Sequence, residues 1–440
     1  MDEVLLDINH GVNDFSETIE IKPRKYQELE YELPSSKSHL IRILALASLK
    51  EGRTRIVSNT SIGRDVLAMK HCLQLLGTEI NISSSSKKQE LNVKGVGKNG
   101  YSKPAKELNC GNSGTAMRVL MTLCSTCNFP IIINGDNSLS IRDNISLKKS
   151  LTNAGVSIKE TTKSQLPIVI KGPWFDSKES NEIELDVSKS SQPLTSWLIS
   201  SSLLPKGIEL KLVGQRVSNE HYKLTKSMCE EYGAEIIELG NSIYLKKWNV
   251  LIPDFLEIPG DSSMASFAIL LSKLHNCEIN LVNWPNSGDH LGNDILFTRS
   301  KDIGMSWISN KLSPKQCGSY SKYDLTDCND LITPLSVILA ISEGGELSGI
   351  THTMYKESNR VEKTIQLMSD FGLKADYKDG IMTIKGRQKP IIPTHTIQSY
   401  NDHRIFMTAV ILLTKLGGKV IGKRLHEIAD IDFMNRLGLI

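Results

Sequence analysis

The stretch Ser35-Ser36-Lys37-Ser38-His39-Leu40-Ile41-Arg42-Ile43-Leu44-Ala45-Leu46-Ala47 decides the fold. A small polar cluster opens a helix that is apolar nearly all round, and such a helix must be buried on most sides. The pattern returns at Asn112-Ser113-Gly114-Thr115, Ser190-Ser191-Gln192, Asp261-Ser262-Ser263, Asn329-Asp330 and Asn401-Asp402-His403-Arg404. The apolar helices are predicted over 36–50, 113–127, 190–204, 262–274, 330–342 and 402–416. Between them an apolar–Gly–apolar triplet recurs, centred on Gly77, Gly155, Gly233, Gly304, Gly372 and Gly438 at intervals of 78, 78, 71, 68 and 66 residues. Each glycine closes a second helix with a polar face, such as 356–371, and suits a terminal residue at positive φ.

Strands follow at β-branched runs such as Arg55-Ile56-Val57, Ile131-Ile132-Ile133 and Pro167-Ile168-Val169-Ile170. Each unit reads strand, apolar helix, strand, amphipathic helix, strand. Six such units predict an α/β fold with helices inside and sheet outside, in two pseudo-symmetric halves. They are too long for a solenoid of short repeats. Residues 83–88 read as a polar loop between strands, and 1–18 as a flexible extension.

The chain has 440 residues, 40% of them apolar, and a net charge of +3 spread throughout, so it carries no nucleic-acid footprint. No apolar run reaches membrane-spanning length, and Asp2, Glu3 and Asp7 do not fit a signal peptide. The eight cysteines, at 72, 110, 124, 127, 229, 277, 317 and 328, are scattered. Cys124 and Cys127 form a lone C-x-x-C without a second pair, which argues against zinc or redox use. Free, packed thiols point to the cytoplasm.

The polar clusters open helices, where free N–H groups and the dipole favour anions. Several carry cations: Lys37 and Arg42, Arg118, and Arg404, with Arg142, Lys356 and Arg360 at the starts of second helices. Converging on one cleft, they would bind a polyanionic small molecule. Charges set beside runs such as Val119-Leu120-Met121 and Ile405-Phe406-Met407 are costly to bury unpaired, which favours a role over a solvated face. Asp330, opening the fifth apolar helix, and Glu357, between Lys356 and Arg360, are candidates for proton transfer. Either could instead be a helix cap or an ion-pair partner, and Asp261 reads as a cap. His39, His221 and His403 are too dispersed for a metal site.

Together these residues resemble the 3-phosphoshikimate 1-carboxyvinyltransferase (EPSP synthase) family. The matching pieces are Leu33-Pro34-Ser35-Ser36-Lys37-Ser38 with Arg42, Asn112 to Arg118, Gly135-Asp136 with Arg142, Ser190-Ser191-Gln192, Gly260-Asp261-Ser262-Ser263, Asp330, Lys356-Glu357-Ser358-Asn359-Arg360 and Asn401-Asp402-His403-Arg404. They stand in family order over about residues 20–410. The resemblance implies a two-domain inside-out α/β barrel fold of six βαβαββ-like units, three per domain. Residues 1–33 with 255–440 would form the first domain and 34–254 the second, with the active site between them. It implies transfer of the enolpyruvyl group of phosphoenolpyruvate to the 5-hydroxyl of shikimate 3-phosphate, with no metal or organic cofactor, in a monomer. By similarity, Lys37, Gly114, Arg142, Gln192, Arg360 and Arg404 would hold phosphoenolpyruvate. Ser38, Arg42, Ser190, Ser191, Ser218, Asp330 and Lys356 would hold shikimate 3-phosphate, and Asn112 joins the substrate-binding set. Asp330 would take the hydroxyl proton, and Glu357 and Lys356 would handle the proton at the methylene, with Lys37 in the catalytic group.

The sequence departs from the family pattern at Val119, Asp143 and Asn219. Near the C-terminus Ile428 stands where the family places a phosphoenolpyruvate-binding Lys. Lys423 or Arg424 could substitute if the loop runs differently; if instead the alignment holds, Ile428→Lys should lower the KM for phosphoenolpyruvate. Two alternatives follow. One is a diverged relative that binds a phosphorylated acid or uses another acceptor. The other is the enolpyruvyltransferase acting on UDP-N-acetylglucosamine.

Overall fold

The computed structural model describes residues 16–85, 88–160, 165–175, 181–286, 288–315 and 318–440. The apolar helices form where the pattern places them: Lys37–Leu49, Gly114–Cys124, Gln192–Ser200, Ala265–His275, Ile332–Ile341 and His403–Leu416. They are the inner helices. In the first, every residue from His39 to Leu49 is buried, and the fifth is buried over 332–340. The first three pack on one another within one hydrophobic core, and the last three within a second. Each fully buried Leu or Ile contributes about 1.5–3 kcal/mol, so these two triple-helix centres hold the halves together.

Five of the outer helices end as the glycine triplets predict; the fourth, Ile295–Thr298, stops six residues before Gly304, which closes a run of turns instead. All six glycines have positive φ, from 63° at Gly438 to 109° at Gly233. In each triplet the glycine N–H donates to the carbonyl three residues back. The following N–H donates five back, as Thr78 does to Leu73, Ala234 to Cys229 and Leu439 to Met434. This closure satisfies helix carbonyls that would otherwise be orphaned and turns the chain back toward the sheet. A Cβ there would strain the left-handed backbone.

Five four-stranded sheets share one order, and the described strands add a two-stranded sixth. In each of the five, the lead strand runs parallel to the strand that follows an inner helix. A hairpin then adds two antiparallel strands, as with Leu108–Asn109, Ile131–Asn134, Ile168–Lys171 and Ser157–Glu160. The two halves exchange their lead strands. Glu28–Glu32 pairs with Glu278–Val282, and Phe255–Glu257 pairs with Arg53–Ser58. In the sixth sheet Thr18–Ile21 runs antiparallel to Gly418–Ile421, where a hairpin strand lies in the others. This strand begins within the segment expected to be an extension; residues 1–15 lie outside the described residues.

The exchange brings both crossovers together. Ser35 bridges Gly260, Ser36 N–H donates to the Pro259 carbonyl at 2.8 Å, and Asp261 N–H donates to the Pro34 carbonyl at 2.8 Å. A Cβ on Gly260 would lie 1.9 Å from the Asn283 carbonyl oxygen, so only glycine fits there. Other expectations shift at their edges. The loop at 83–88 is shorter, because strands Glu79–Ser85 and Lys88–Lys94 run into it. The helix expected over 356–371 begins at Arg360, capped by Asn359. Cys127 lies beyond its helix, and the seven described cysteines are free and buried, while Cys317 lies outside the described residues. Among the described residues no helix is long and apolar enough to cross a membrane.

Candidate active site

The inner helices of the two halves point their N-terminal ends at one cleft, lined by Lys37, Ser38 and His221 from one side and by Ser263, Asp330 and Arg404 from the other. The enclosed space is about 20 Å³, room for about one water. The halves touch across it: Ser138 Oγ donates to the Glu357 carbonyl at 3.2 Å, Ser218 N–H to the Thr326 carbonyl at 3.0 Å, and Asn329 Nδ2 to Ser218 Oγ at 2.9 Å.

Arg360 organises the second half's wall. It is 1% exposed, and its fork engages three carboxylates: Nε to Asp402 at 2.8 Å, Nη1 to Asp330 at 2.7 Å and Nη2 to Glu357 at 2.6 Å. A planar guanidinium can hold three acceptors in fixed directions, which an ammonium cannot. Asp402 is fully buried, also accepts from Ser358 Oγ at 3.0 Å, and caps the sixth inner helix through Arg404 N–H at 2.9 Å. Arg404 Nη2 reaches Asp330 Oδ2 at 3.0 Å and Ser263 Oγ at 2.9 Å. Asp330 therefore sits between two arginines and caps no helix, whereas Asp261 does cap, accepting from Ser263 N–H at 3.0 Å.

These charges set the protonation states. Burial alone would raise the Asp330 and Glu357 carboxyls. Arg404 and Arg360 outweigh it at Asp330, and Arg360 and Arg142 at Glu357, so both lie well below the ordinary carboxylate range and are ionised. Burial pushes the Lys356 ammonium down, with Asp330 opposing the shift.

The first half contributes the other cations. Burial would lower Lys37, but Asp65, 3.0 Å away, and Glu357 raise it. Among the described residues Arg42 is bound only by neutral oxygens: Thr225 Oγ1 and the Ser38 carbonyl, each at 2.8 Å, the His221 carbonyl at 3.3 Å and Thr195 Oγ1 at 3.4 Å. Burial lowers its pKa, yet a guanidinium stays charged. Arg142 donates to Asn112 Oδ1 at 2.8 Å and lies 3.8 Å from Glu357 across the cleft. Gly114 lies beneath this group: a Cβ there would be 2.9 Å from both Arg118 Nη1 and Arg142 Nη1, and 3.4 Å from Gln192 Oε1.

Most expected residues are thus brought to one place. Ser190 Oγ accepts from the Gln192 N–H at 3.1 Å, Ser191 is buried at the start of the third inner helix, and Ser218 starts its helix in a left-handed conformation, φ 55°. Three groups were missed as members of this site. Arg118 stood out only as a cation beside an apolar run; its guanidinium bonds Gln192 and donates to the Asp143 carbonyl at 2.9 Å. Asp402 was visible only as a helix opener, because nothing local says that Arg360 arrives behind it. Asp65 carried no signal beyond its place at a helix start.

The departures are also resolved. Val119 lies in the core. The Asp143 carboxylate pairs with Lys189 at 2.7 Å, which neutralises the added charge. Asn219 begins its helix, its N–H donating to Asp327 Oδ1 at 2.5 Å. Ile428 is 1% exposed within the second half's core. Neither proposed substitute completes the cleft: Lys423 pairs with Glu17 at 2.9 Å and Arg424 with Glu427 at 2.7 Å. Glu427 also binds Arg64 of the other half at 2.6 Å. Among the described residues no group of three or more His, Cys, Asp or Glu could hold a metal ion.

The fold is that of the enolpyruvyl transferases. An EPSP synthase from Acinetobacter baumannii superposes with a TM-score of 0.72 at 22% identity, covering 96% of this chain and 97% of that one. The enolpyruvyl transferase NikO from Streptomyces tendae gives 0.73 at 11% identity, with 96% and 97% covered. The chain belongs to the EPSP synthase (3-phosphoshikimate 1-carboxyvinyltransferase) family, whose model matches residues 21–430. Similar proteins named 3-phosphoshikimate 1-carboxyvinyltransferase come from Caldicellulosiruptor saccharolyticus (29% identical, covering 95% of this chain and 97% of that one) and Caldivirga maquilingensis (28%, 92% of each).

Proposed function

We propose that this chain transfers the enolpyruvyl group of phosphoenolpyruvate to the 5-hydroxyl of shikimate 3-phosphate and releases phosphate. The observation that carries this reading is Arg360, holding Asp330 and Glu357 on one guanidinium at a cleft faced by cations from both halves. The two substrates bring two phosphates and two carboxylates together, which needs several fixed cations. Lys37, Arg142, Arg360 and Arg404 bind phosphoenolpyruvate over Gly114 and Gln192, and Arg118 joins them. Ser38, Arg42, Ser190, Ser191, Ser218 and Lys356 bind shikimate 3-phosphate, and Asn112 positions Arg142.

Substrate anions compete with Asp330 and Glu357 for the same arginines. As phosphate and carboxylate take over Arg142, Arg360 and Arg404, both carboxyls lose the neighbours that hold them ionised, and their proton affinity rises. Asp330 then accepts the proton of the attacking hydroxyl. Glu357 gains a proton and gives it to the methylene, with Lys356 beside it. Protonation makes the adjacent carbon electrophilic and the hydroxyl oxygen attacks it; the tetrahedral intermediate then collapses as the C–O bond to phosphate breaks and the new methyl group returns a proton to Glu357, which restores the methylene. The space beside Lys37, Asp330 and Arg404 has room for about one water, so the substrates enter there as the halves part about the paired crossovers. We take those halves as the two domains, which the sequence sets at 1–33 with 255–440 and at 34–254. The exchanged strand Phe255–Glu257 moves the second crossover on to 258–260. Buried free thiols suit a cytoplasmic enzyme.

The test is phosphate release by the purified protein with both substrates, omitting each in turn. Release that requires both supports the reading. Binding of shikimate 3-phosphate without release would favour the diverged relative with another acceptor, a reading that the burial of Ile428 motivates.

A further inference from the structure

The three inner helices that begin at the cleft in the second half end at a separate cavity of about 370 Å³. Its wall takes Lys273 and Leu274 from the fourth inner helix, Ile341 from the fifth, and Lys415 and Leu416 from the sixth. Lys315 and Lys389 close it, one just past strand Lys311–Pro314 and the other in the loop after Ile381–Lys385. The fourth helix has 11 residues and spans about 16 Å at 1.5 Å per residue, so this space is remote from the catalytic cleft.

Its charge is unbalanced. Lys273 and Lys415 sit in last turns, where lysine complements the helix dipole. That does not explain Lys315 and Lys389. Among the described residues none of the four lysines makes a salt bridge or side-chain hydrogen bond. The carboxylates nearest in effect are already engaged: Glu343 with Arg387 at 2.7 Å, and Glu278 with Lys311 at 2.6 Å. The basic segment Lys22-Pro23-Arg24-Lys25 passes the same end, with Arg24 N–H donating to the Thr414 carbonyl at 2.7 Å. Between the ammonium groups the wall takes apolar surface from Leu274, Ile341, Leu416 and two prolines, beside the amides of Asn276 and Gln388. A space of this volume falls in the range of small-molecule sites.

We propose that this cavity, at the C-terminal ends of the second half's inner helices, binds a small organic anion whose carboxylate or phosphate groups meet Lys273, Lys315, Lys389 and Lys415 and whose apolar body lies on Leu274, Ile341 and Leu416. The inference does not depend on the proposed reaction. It is tested by calorimetric titration of the full chain with phenyl phosphate at low salt, against K315Q/K389Q and, separately, K273M. Lys315 and Lys389 are exposed, so the double variant keeps the fold. The wild type should show one site that weakens at least tenfold in both variants, with turnover within twofold of wild type. Inorganic phosphate should bind that site at least tenfold more weakly than phenyl phosphate. Superimposable isotherms for wild type and variants would overturn the proposal, and equal affinity for the two probes would overturn the apolar half of it.

Discussion

Replacing Arg360 with lysine tests the centre of the site. The guanidinium makes charge-assisted hydrogen bonds to Asp402, Asp330 and Glu357 at 2.8, 2.7 and 2.6 Å. A lysine ammonium can face one of these well, so at least two are lost, at about 1.5–3 kcal/mol each. The expected destabilisation at neutral pH is about 3–6 kcal/mol, which overlaps the ~3–5 kcal/mol found when a buried ion pair is broken. The loss should depend on pH. Asp330 and Glu357 have depressed pKa values in the folded state, so their stabilisation is present above the unfolded carboxyl values and lost as pH falls through the folded ones. In R360K the crowded carboxylates repel, and protonation relieves them at a higher pH. Urea unfolding followed by circular dichroism, from pH 7.5 down to 3, should therefore show a wide gap that narrows on acidification. A gap below about 1 kcal/mol, or one of constant size across the range, would refute the reasoning.

Gly114→Ala would set a Cβ 2.9 Å from two anchored arginines. At an overpacking cost of about 1–3 kcal/mol the KM for phosphoenolpyruvate should rise roughly five- to 150-fold with little change for shikimate 3-phosphate, as steady-state phosphate release would show. Glu357→Gln should lower kcat by about 10²–10⁴ and abolish solvent deuterium entry into the methylene, read by mass spectrometry of the product, while shikimate 3-phosphate still binds. Ile428→Lys should not improve phosphoenolpyruvate binding, contrary to the expectation from alignment. It places an ammonium in the second half's core, and a fall in melting temperature without a fall in KM is the expected result. Glu427→Ala removes a partner of Arg64 in the other half and of Arg424. It should raise hydrogen exchange in Arg64–Leu75 and Leu425–Ile428 while leaving the inner helices protected.

What the sequence determined is what local chemistry controls. Where each apolar helix begins follows from its polar opener, and where all but the fourth outer helix end follows from a glycine that alone takes positive φ without strain, as at Gly77 and Gly372. The candidate cations and carboxylates were legible too, because a charge beside an apolar run requires a partner or a purpose. Who that partner is could not be read. Asp402 lies 42 residues from Arg360, and Arg142 meets Glu357 over a separation of 215 residues, distances in sequence that no local pattern spans. Ile428 could be aligned to a cleft position, but only packing turned it into the core. The exchange of Glu28–Glu32 and Phe255–Glu257 between sheets was equally hidden, since either strand would fit its own unit. Strand pairing is a choice among chemically similar edges, and the choice is made by which arrangement closes both cores at once.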